Sequence, residues 1–150
     1  MNLVAWALRV LTAAGLAYDA RIHLKLASAY DQIATSTVSQ GDLFRIEAGL
    51  AIATAVLVLL VHRPVTALLA AAVAGGGLVP LLVYRYYDVG SLGPLPNMYE
   101  PAWYPDKTHT CIAQAVAAAT ALVLVVLEVR RRRSSTAGPI RSADGSEVPL

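Results

Sequence analysis

The amino-acid sequence predicts an all-α fold, a four-helix transmembrane bundle with an ordered loop, rich in proline and aromatic residues, between helices 3 and 4. Four apolar runs each have about the length of a bilayer crossing, which takes ~20 residues. Hydrophobic residues make up 57% of the 150 positions and charged residues 15%, where roughly 25% charged residues are usual in soluble domains. This composition disfavours a water-soluble globular domain.

The predicted spans are residues 3 to about 26, 43–61, 65 to about 84, and 111–129. The first is expected to be a retained helix, because it lacks a positively charged start and a signal-peptide cleavage pattern. Spans two and three are joined by residues 62–64 only, so these helices must be antiparallel neighbours, and Pro64 suits a helix start. Residues 1–133 are the predicted transmembrane domain. The polar residues 134–150 are predicted to form a disordered cytoplasmic tail.

Basic residues predict the orientation of the bundle in the cell membrane, because lysine and arginine near span ends stay in the cytoplasm. Arg63 and the arginine run 130–133 lie at one end, and Arg9 is expected to reach the same end by extending its side chain. The opposite end carries five basic residues among seven acidic ones, which indicates ion pairs there. The sequence therefore predicts a multi-pass protein with both termini in the cytoplasm.

Polar side chains from all four spans are expected at one level, the extracytoplasmic third of the membrane. A charge at the bilayer centre costs about 2.5–3.5 kcal/mol, so such residues should face the interior, pair, or reach the interface. One interpretation is that they form compensating pairs that hold the helices in register. The other is a shallow outward-facing pocket for a small molecule, a quinone headgroup, a metal ion or a proton. The candidate ligand-binding residues are Asp19, His23, Glu47, Arg45, Arg85, Tyr99, Glu100, Trp103 and His109.

Glu47 carries the sharpest expectation of this set. A carboxylate inside a span must pair with a cation or take up a proton. We therefore expect Glu47 to face the bundle interior, with Arg45, Arg85, His23 or a polar atom of span one or four within hydrogen-bonding reach.

The loop from Asp88 to Lys107 contains four of the eight prolines, and each proline restricts its own backbone and that of the residue before it. The loop and the residues just before it also hold most of the tyrosine and tryptophan residues, which is typical of an aromatic belt at the lipid headgroups. One interpretation is a lid anchored in the interface. The alternative is a lid whose Tyr99, Glu100 and Trp103 also contact a ligand or a partner protein.

Several kinds of chemistry are excluded or left without support. Cys111 is the single cysteine, so the chain forms no intrachain disulfide, CxxC pair or cysteine-rich zinc site. Histidine and carboxylate spacings match no metal-binding motif, and the sequence assigns no metal site, catalytic residue or cofactor. The net charge of +2 does not favour nucleic acid. The expected partners are the lipid bilayer and a membrane protein.

Three segments carry a resemblance to known membrane proteins. They read D-A-R-I-H-L-K-L-A-S-A-Y-D from Asp19, S-Q-G-D-L-F-R-I-E-A-G-L-A from Ser39, and Y-R-Y-Y-D-V-G-S-L-G-P-L-P-N-M-Y-E-P-A-W-Y from Tyr84. With them the chain, apart from its tail, resembles a group of small, uncharacterised four-span bacterial integral membrane proteins. In size and span number it more distantly resembles DoxX-like proteins, which are associated with quinone-linked sulfur oxidation. Neither resemblance assigns a catalytic role to a residue here.

Two classes of function follow from these observations. The favoured one is a binding or accessory component of a membrane complex, with an extracytoplasmic polar pocket. The alternative is a small membrane enzyme or carrier that uses this pocket for quinone-linked redox chemistry, a metal or a proton. The lack of a recognisable nucleophile, metal motif or nucleotide-binding loop favours the first class.

Overall fold

Four long helices form the protein, as the sequence predicts. The computed structural model describes residues 3–136, and within them no β-strand is present. The helices are α1 (Leu3–Leu26), α2 (Gln40–Leu60), α3 (Pro64–Tyr86) and α4 (Pro105–Thr136), with a short 3₁₀ helix, Ala27–Tyr30, directly after α1. Of the predicted tail, only residues 134–136 belong to the described part, where they extend α4; the remainder lies outside the described residues.

All four helices are long and apolar enough to cross a membrane, and many of their large apolar side chains are exposed on the outside of the bundle. Such an outer surface is unfavourable in water and suited to lipid. The chain is a multi-pass membrane protein.

The helices form an antiparallel square. Helix α1 packs along α2 and α4, and α3 packs along α4, whereas α2 and α3 are in contact over less of their length. The long-loop end of the bundle contains the connections 27–39 and 87–104. The short-loop end contains the connection 61–63, the start of α1 and the end of α4.

Each helix buries one narrow stripe of residues spaced alternately by three and four positions. This spacing is that of left-handed, coiled-coil-like packing. Alanine predominates in the stripes of α2 and α3 and lets the backbones approach closely, which is a principal source of helix association in lipid. The stripe of α1 is Ala5, Arg9, Thr12, Leu16, Asp19 and His23, and that of α4 is Thr110, Gln114, Ala117, Ala121, Leu124 and Glu128.

The helix boundaries follow from local capping. Ser39 caps α2: its hydroxyl oxygen accepts the Asp42 backbone N–H, and the Asp42 carboxylate accepts the Ser39 N–H, a reciprocal capping box. Helix α3 starts with Pro64 as predicted, and Thr66 bonds the carbonyls of Val61 and Arg63. Helix α2 thus begins three residues before the predicted span, because polar capping extends a helix beyond its apolar run.

A buried ion pair lies at the short-loop end. Arg9 reaches this end, as expected, but its side chain does not extend to the surface: it is 2% exposed and pairs with Glu128 of α4. Its guanidinium also donates to the backbone carbonyls of Val58 and Val61 at the end of α2. Inside the bundle the guanidinium finds a carboxylate of opposite charge and helix-end carbonyls that lack helical partners. These interactions favour a buried position of the Arg9 side chain over one at the membrane interface.

Helices α1 and α4 are in close contact at Gly15. A Cβ atom there would lie 2.9 Å from the carbonyl oxygen of Ala113 and 3.1 Å from the Cβ of Ala117. By contrast, Gly49 lies on the outside of α2 with open space around it. The packing of α1 on α4 therefore requires glycine at position 15.

This contact predicts a difference between two glycine substitutions. Gly15→Leu should lower the free energy of unfolding by about 1–3 kcal/mol, because the added side chain forces the two backbones apart. Gly49→Leu, the matched control on the lipid-facing side, should leave stability unchanged or slightly higher, since leucine is a better helix former. Thermal unfolding in mild detergent, followed by circular dichroism, measures both. Equal effects would contradict the packing described here.

Candidate functional site

A cavity of about 310 Å³ occupies the long-loop end of the bundle. Its walls come from the last part of α1, the first part of α2, the last part of α3 and the start of α4. Most of the lining is apolar and aromatic, with a few polar groups among it, a composition typical of small-molecule sites. The lining residues include Ile22, His23, Leu26, Tyr30, Gln40, Leu43, Phe44, Glu47, Leu81, Tyr84, Lys107 and Thr110.

The proline-rich loop forms a lid over this cavity, contributing Leu95, Met98, Glu100 and Tyr104 to its lining. One anchor of the lid is the hydrogen bond of 2.7 Å between the hydroxyls of Tyr104 and Tyr30. Desolvation, reinforced by this bond, raises the pKa of the Tyr104 phenol well above its ordinary value, so it stays protonated.

Backbone contacts hold the rest of the lid. The Glu100 N–H donates to the carbonyl of Tyr84 over 3.1 Å, and the Lys107 ammonium donates to the carbonyls of Glu100 and Ala102. Thr35, in the connection after α1, donates to the carbonyl of Pro94. The expected ordered lid is therefore present, fixed by both loops of this end.

The cavity opens sideways between α2 and α3. Three residues that line it, Ile46, Gly76 and Pro80, are also exposed on the outer surface of the bundle. A Cβ at Gly76 would meet no atom within 4 Å, so the missing side chain leaves open space at this point. These exposed lining residues place an opening of the cavity on the outer surface of the bundle.

Glu47 lies in the cavity wall, and it faces the interior as expected. The expected partner is not found: Oε1 is buried and accepts no hydrogen bond from any residue between 3 and 136. Arg45, one proposed partner, binds Asp31 over 2.8 and 2.9 Å and Asp42 over 3.1 Å. The hydrogen bonds of Arg45 hold the pKa of the Asp31 carboxyl below its usual value.

Gln114 of α4 lies beside Glu47, although it is not itself a lining residue of the cavity. It is fully buried, yet within the described chain neither its amide oxygen nor its amide nitrogen has a hydrogen-bond partner. A Cβ at Gly77 would overlap the Gln114 amide and lie 2.9 Å from Oε1 of Glu47. Glycine at position 77 therefore makes room for two polar groups that leave their hydrogen-bonding capacity unused.

Asp19 and His23 form the polar pair of α1. Nδ1 of His23 donates to the Asp19 carbonyl over 3.1 Å and lies 3.1 Å from Oδ1 of the same residue. Since a carbonyl only accepts, Nδ1 carries the proton in this bond. The His23 ring lines the cavity and meets the ring of Phe44 edge-on at 4.9 Å, whereas Asp19 lies behind it with no exposed surface.

The other candidate residues lie apart from the cavity. Arg85 places its guanidinium over the rings of Tyr86 and Trp103, at 5.1 and 5.4 Å from their centroids. Tyr99 and Trp103 are about 40% exposed at the surface of the lid. His109 is exposed too, 3.3 Å from the hydroxyl of Tyr18. Of the nine candidates, the structure brings His23, Glu47 and Glu100 to the cavity, with Asp19 directly behind.

Gln114, Gly77 and Glu128 are not among the nine candidate ligand-binding residues that the sequence suggests, although Gln114 belongs to the polar groups expected at this level of span four. Their spacing was a usable signal, because Gln114 and Glu128 continue the stripe of Ala117 and Ala121 by steps of three or four residues. Two polar residues on the buried face of an apolar helix are expected to meet polar partners or a cavity.

The donor groups do not form a metal site: within residues 3–136 no three histidine, cysteine or carboxylate side chains come together. Comparison with protein-family models, with curated proteins and with solved structures finds no match to this chain.

The structure predicts opposite effects for its two membrane-embedded glutamates. Glu47→Met should raise the free energy of unfolding by about 1 kcal/mol, because a buried acceptor without a partner is costly. Glu128→Met should lower it by about 3–5 kcal/mol, because Arg9 is left as an unpaired buried charge. Thermal unfolding in detergent without added ligand measures both, and a similar loss in each would mean that Glu47 is ion-paired.

Proposed function

We propose that the protein is a membrane-embedded binding protein for a small amphipathic molecule. The observation that carries this proposal is the cavity at the long-loop end, with its apolar walls, its ordered lid and the unpartnered carboxyl oxygen of Glu47. A buried polar atom that bonds nothing costs about 1–3 kcal/mol. A bound molecule that supplies the missing hydrogen bond offsets this cost.

The polar atoms near the cavity indicate which chemical groups the polar end of the ligand carries. In the described part of the chain, unpartnered buried oxygens outnumber unpartnered buried nitrogens at this end of the bundle: the oxygens belong to Asp19, Gln40, Glu47 and Gln114, whereas the nitrogens belong to Gln114 and Arg85 only. The polar end of the ligand should therefore carry hydrogen-bond donors, such as hydroxyl or amine groups. Its apolar part should lie against residues such as Leu43, Phe44 and Leu81.

The sideways opening supports the bilayer as the source of the ligand. Ile46 and Pro80 face outward at the opening and line the cavity. A molecule dissolved in the membrane can thus approach without crossing the lid. A carrier or a redox enzyme would use the same cavity. Membership of a membrane complex, and the resemblance to DoxX-like proteins, stay predictions that this proposal does not require.

A pair of probes with the same carbon skeleton tests the proposal. Tetramethylhydroquinone carries two O–H donors, whereas tetramethylbenzoquinone carries acceptors only. In detergent under anaerobic conditions, calorimetry should show the hydroquinone binding about tenfold more tightly, the effect of one additional hydrogen bond. Glu47→Met should bind both forms equally.

Two double variants control for the place of binding. Ile46→Trp with Gly76→Trp puts bulky rings on both sides of the opening, and this change should abolish binding of both probes. Gly49→Trp with Ile52→Trp alters the exposed surface of α2 away from the cavity and should leave binding intact. If the variant with Ile46→Trp and Gly76→Trp still binds the probes, the cavity is not the binding site. If the quinone binds more tightly than the hydroquinone, the ligand does not need hydrogen-bond donors at its polar end.

We infer further that the short-loop end lies in the cytoplasm of the cell. Exposed basic residues concentrate there, namely Arg63 and the arginine run 130–133, while the acidic Glu128 is already neutralised by Arg9. At the long-loop end, by contrast, Lys25 pairs with Asp106. Lysine and arginine residues near span ends are retained in the cytoplasm.

Reporter fusions check this orientation. A phosphatase that requires disulfide formation, and so works only outside the cytoplasm, should be active when inserted at Leu95 and inactive when fused after Arg133. A fluorescent reporter that matures only in the cytoplasm should show the reverse pattern. The opposite result at either position would contradict the orientation.

A further inference from the structure

A second cavity, of about 330 Å³, lies at the short-loop end. Ala5 and Arg9 of α1, His62 of the short connection, and three residues of the last part of α4 line it; these three are Glu128, Arg131 and Arg132. It is at the opposite end of the bundle from the first cavity and shares no lining residue with it. The two cavities are therefore separate sites.

The lining of this second cavity is strongly basic. Three of the six lining residues are arginines and one, Glu128, is acidic, and this glutamate forms an ion pair with Arg9. Guanidinium groups offer forked pairs of N–H donors that match the oxygens of a phosphate group. More arginines follow outside the cavity, at positions 130 and 133.

The buried floor of the cavity also has unused hydrogen-bonding capacity. Nε of Arg9 and Oε2 of Glu128 are buried and, within residues 3–136, have no hydrogen-bond partner. Arg9 is 2% exposed and Glu128 is 8% exposed. A built donor at the base of a basic cavity distinguishes this site from a charged surface patch.

We propose that this second cavity binds a phosphate-bearing anion. Basic pockets between transmembrane helices at a membrane surface are suited to phospholipid headgroups, and a free phosphate or phosphorylated solute presents the same chemistry. The site does not depend on the ligand proposed for the first cavity. Its failure or success is therefore separate from that proposal.

Calorimetry of the full chain in mild detergent tests the site with two probes, sodium phosphate and short-chain dioctanoyl phosphatidylglycerol. We expect saturable binding with one site per chain. Binding of both probes would show that the phosphate group suffices and that a free anion is accepted. Binding of phosphatidylglycerol alone would identify the headgroup of a lipid as the ligand. If neither probe binds, the proposal is overturned.

Two variants with the same change in charge separate the cavity from general attraction. Arg131→Gln with Arg132→Gln removes two arginines that line the cavity, and it should weaken binding at least about tenfold, since each loses a charge-assisted hydrogen bond. Arg130→Gln with Arg133→Gln removes two arginines of the same run outside the cavity, and it should weaken binding by no more than about threefold. If both double variants lose the same amount of affinity, the anion is attracted by the basic surface as a whole, and the cavity is not a specific site.

Discussion

The buried ion pair between Arg9 and Glu128 determines where three of the four helices meet. In a medium without water, a guanidinium must be neutralised and its remaining N–H groups need acceptors. Glu128 of α4 supplies the charge, and Val58 and Val61 supply carbonyls that the end of α2 leaves without helical partners. One side chain thereby sets the depth of α1 against both neighbours, and a shift by one helical turn would break every one of these bonds.

With the short-loop end closed in this way, the long-loop end is free to be built differently. Helices α2 and α3 are joined by three residues at one end, whereas at the other the first cavity lies between them. Glycine makes this possible: Gly76 leaves space at the opening, and Gly77 accommodates the Gln114 amide. The lid then needs its own anchors, which the Tyr30–Tyr104 hydrogen bond and the Lys107 contacts provide.

The fold could be predicted from the sequence because hydrophobic length and composition decide which segments enter a bilayer, and Pro64 marks the turn between α2 and α3. The site could be predicted only in part. The prediction that polar groups lie at one level is correct for His23 and Glu47. Which of them pair depends on the rotation of each helix about its axis, and the spacing of residues along the sequence does not determine this rotation. Arg45 binds Asp31 rather than Glu47. Arg9 points inward because Glu128, which belongs to the buried stripe of α4, pairs with it.

The distribution of unpartnered polar atoms relates both proposed sites to one physical rule. Among residues 3–136, the buried side-chain atoms without a hydrogen-bond partner fall mainly into two groups. One group lies in or beside the first cavity and includes atoms of Glu47 and Gln114, and the other consists of atoms of Arg9 and Glu128 beside the second. Nε of Arg85 belongs to neither group. Midway along the bundle, Thr12 and Thr120 bond each other over 2.8 Å. Hydrocarbon makes an unused donor or acceptor costly, so a membrane protein can carry one at low cost only where another molecule can reach it. The two cavities are where this chain does so.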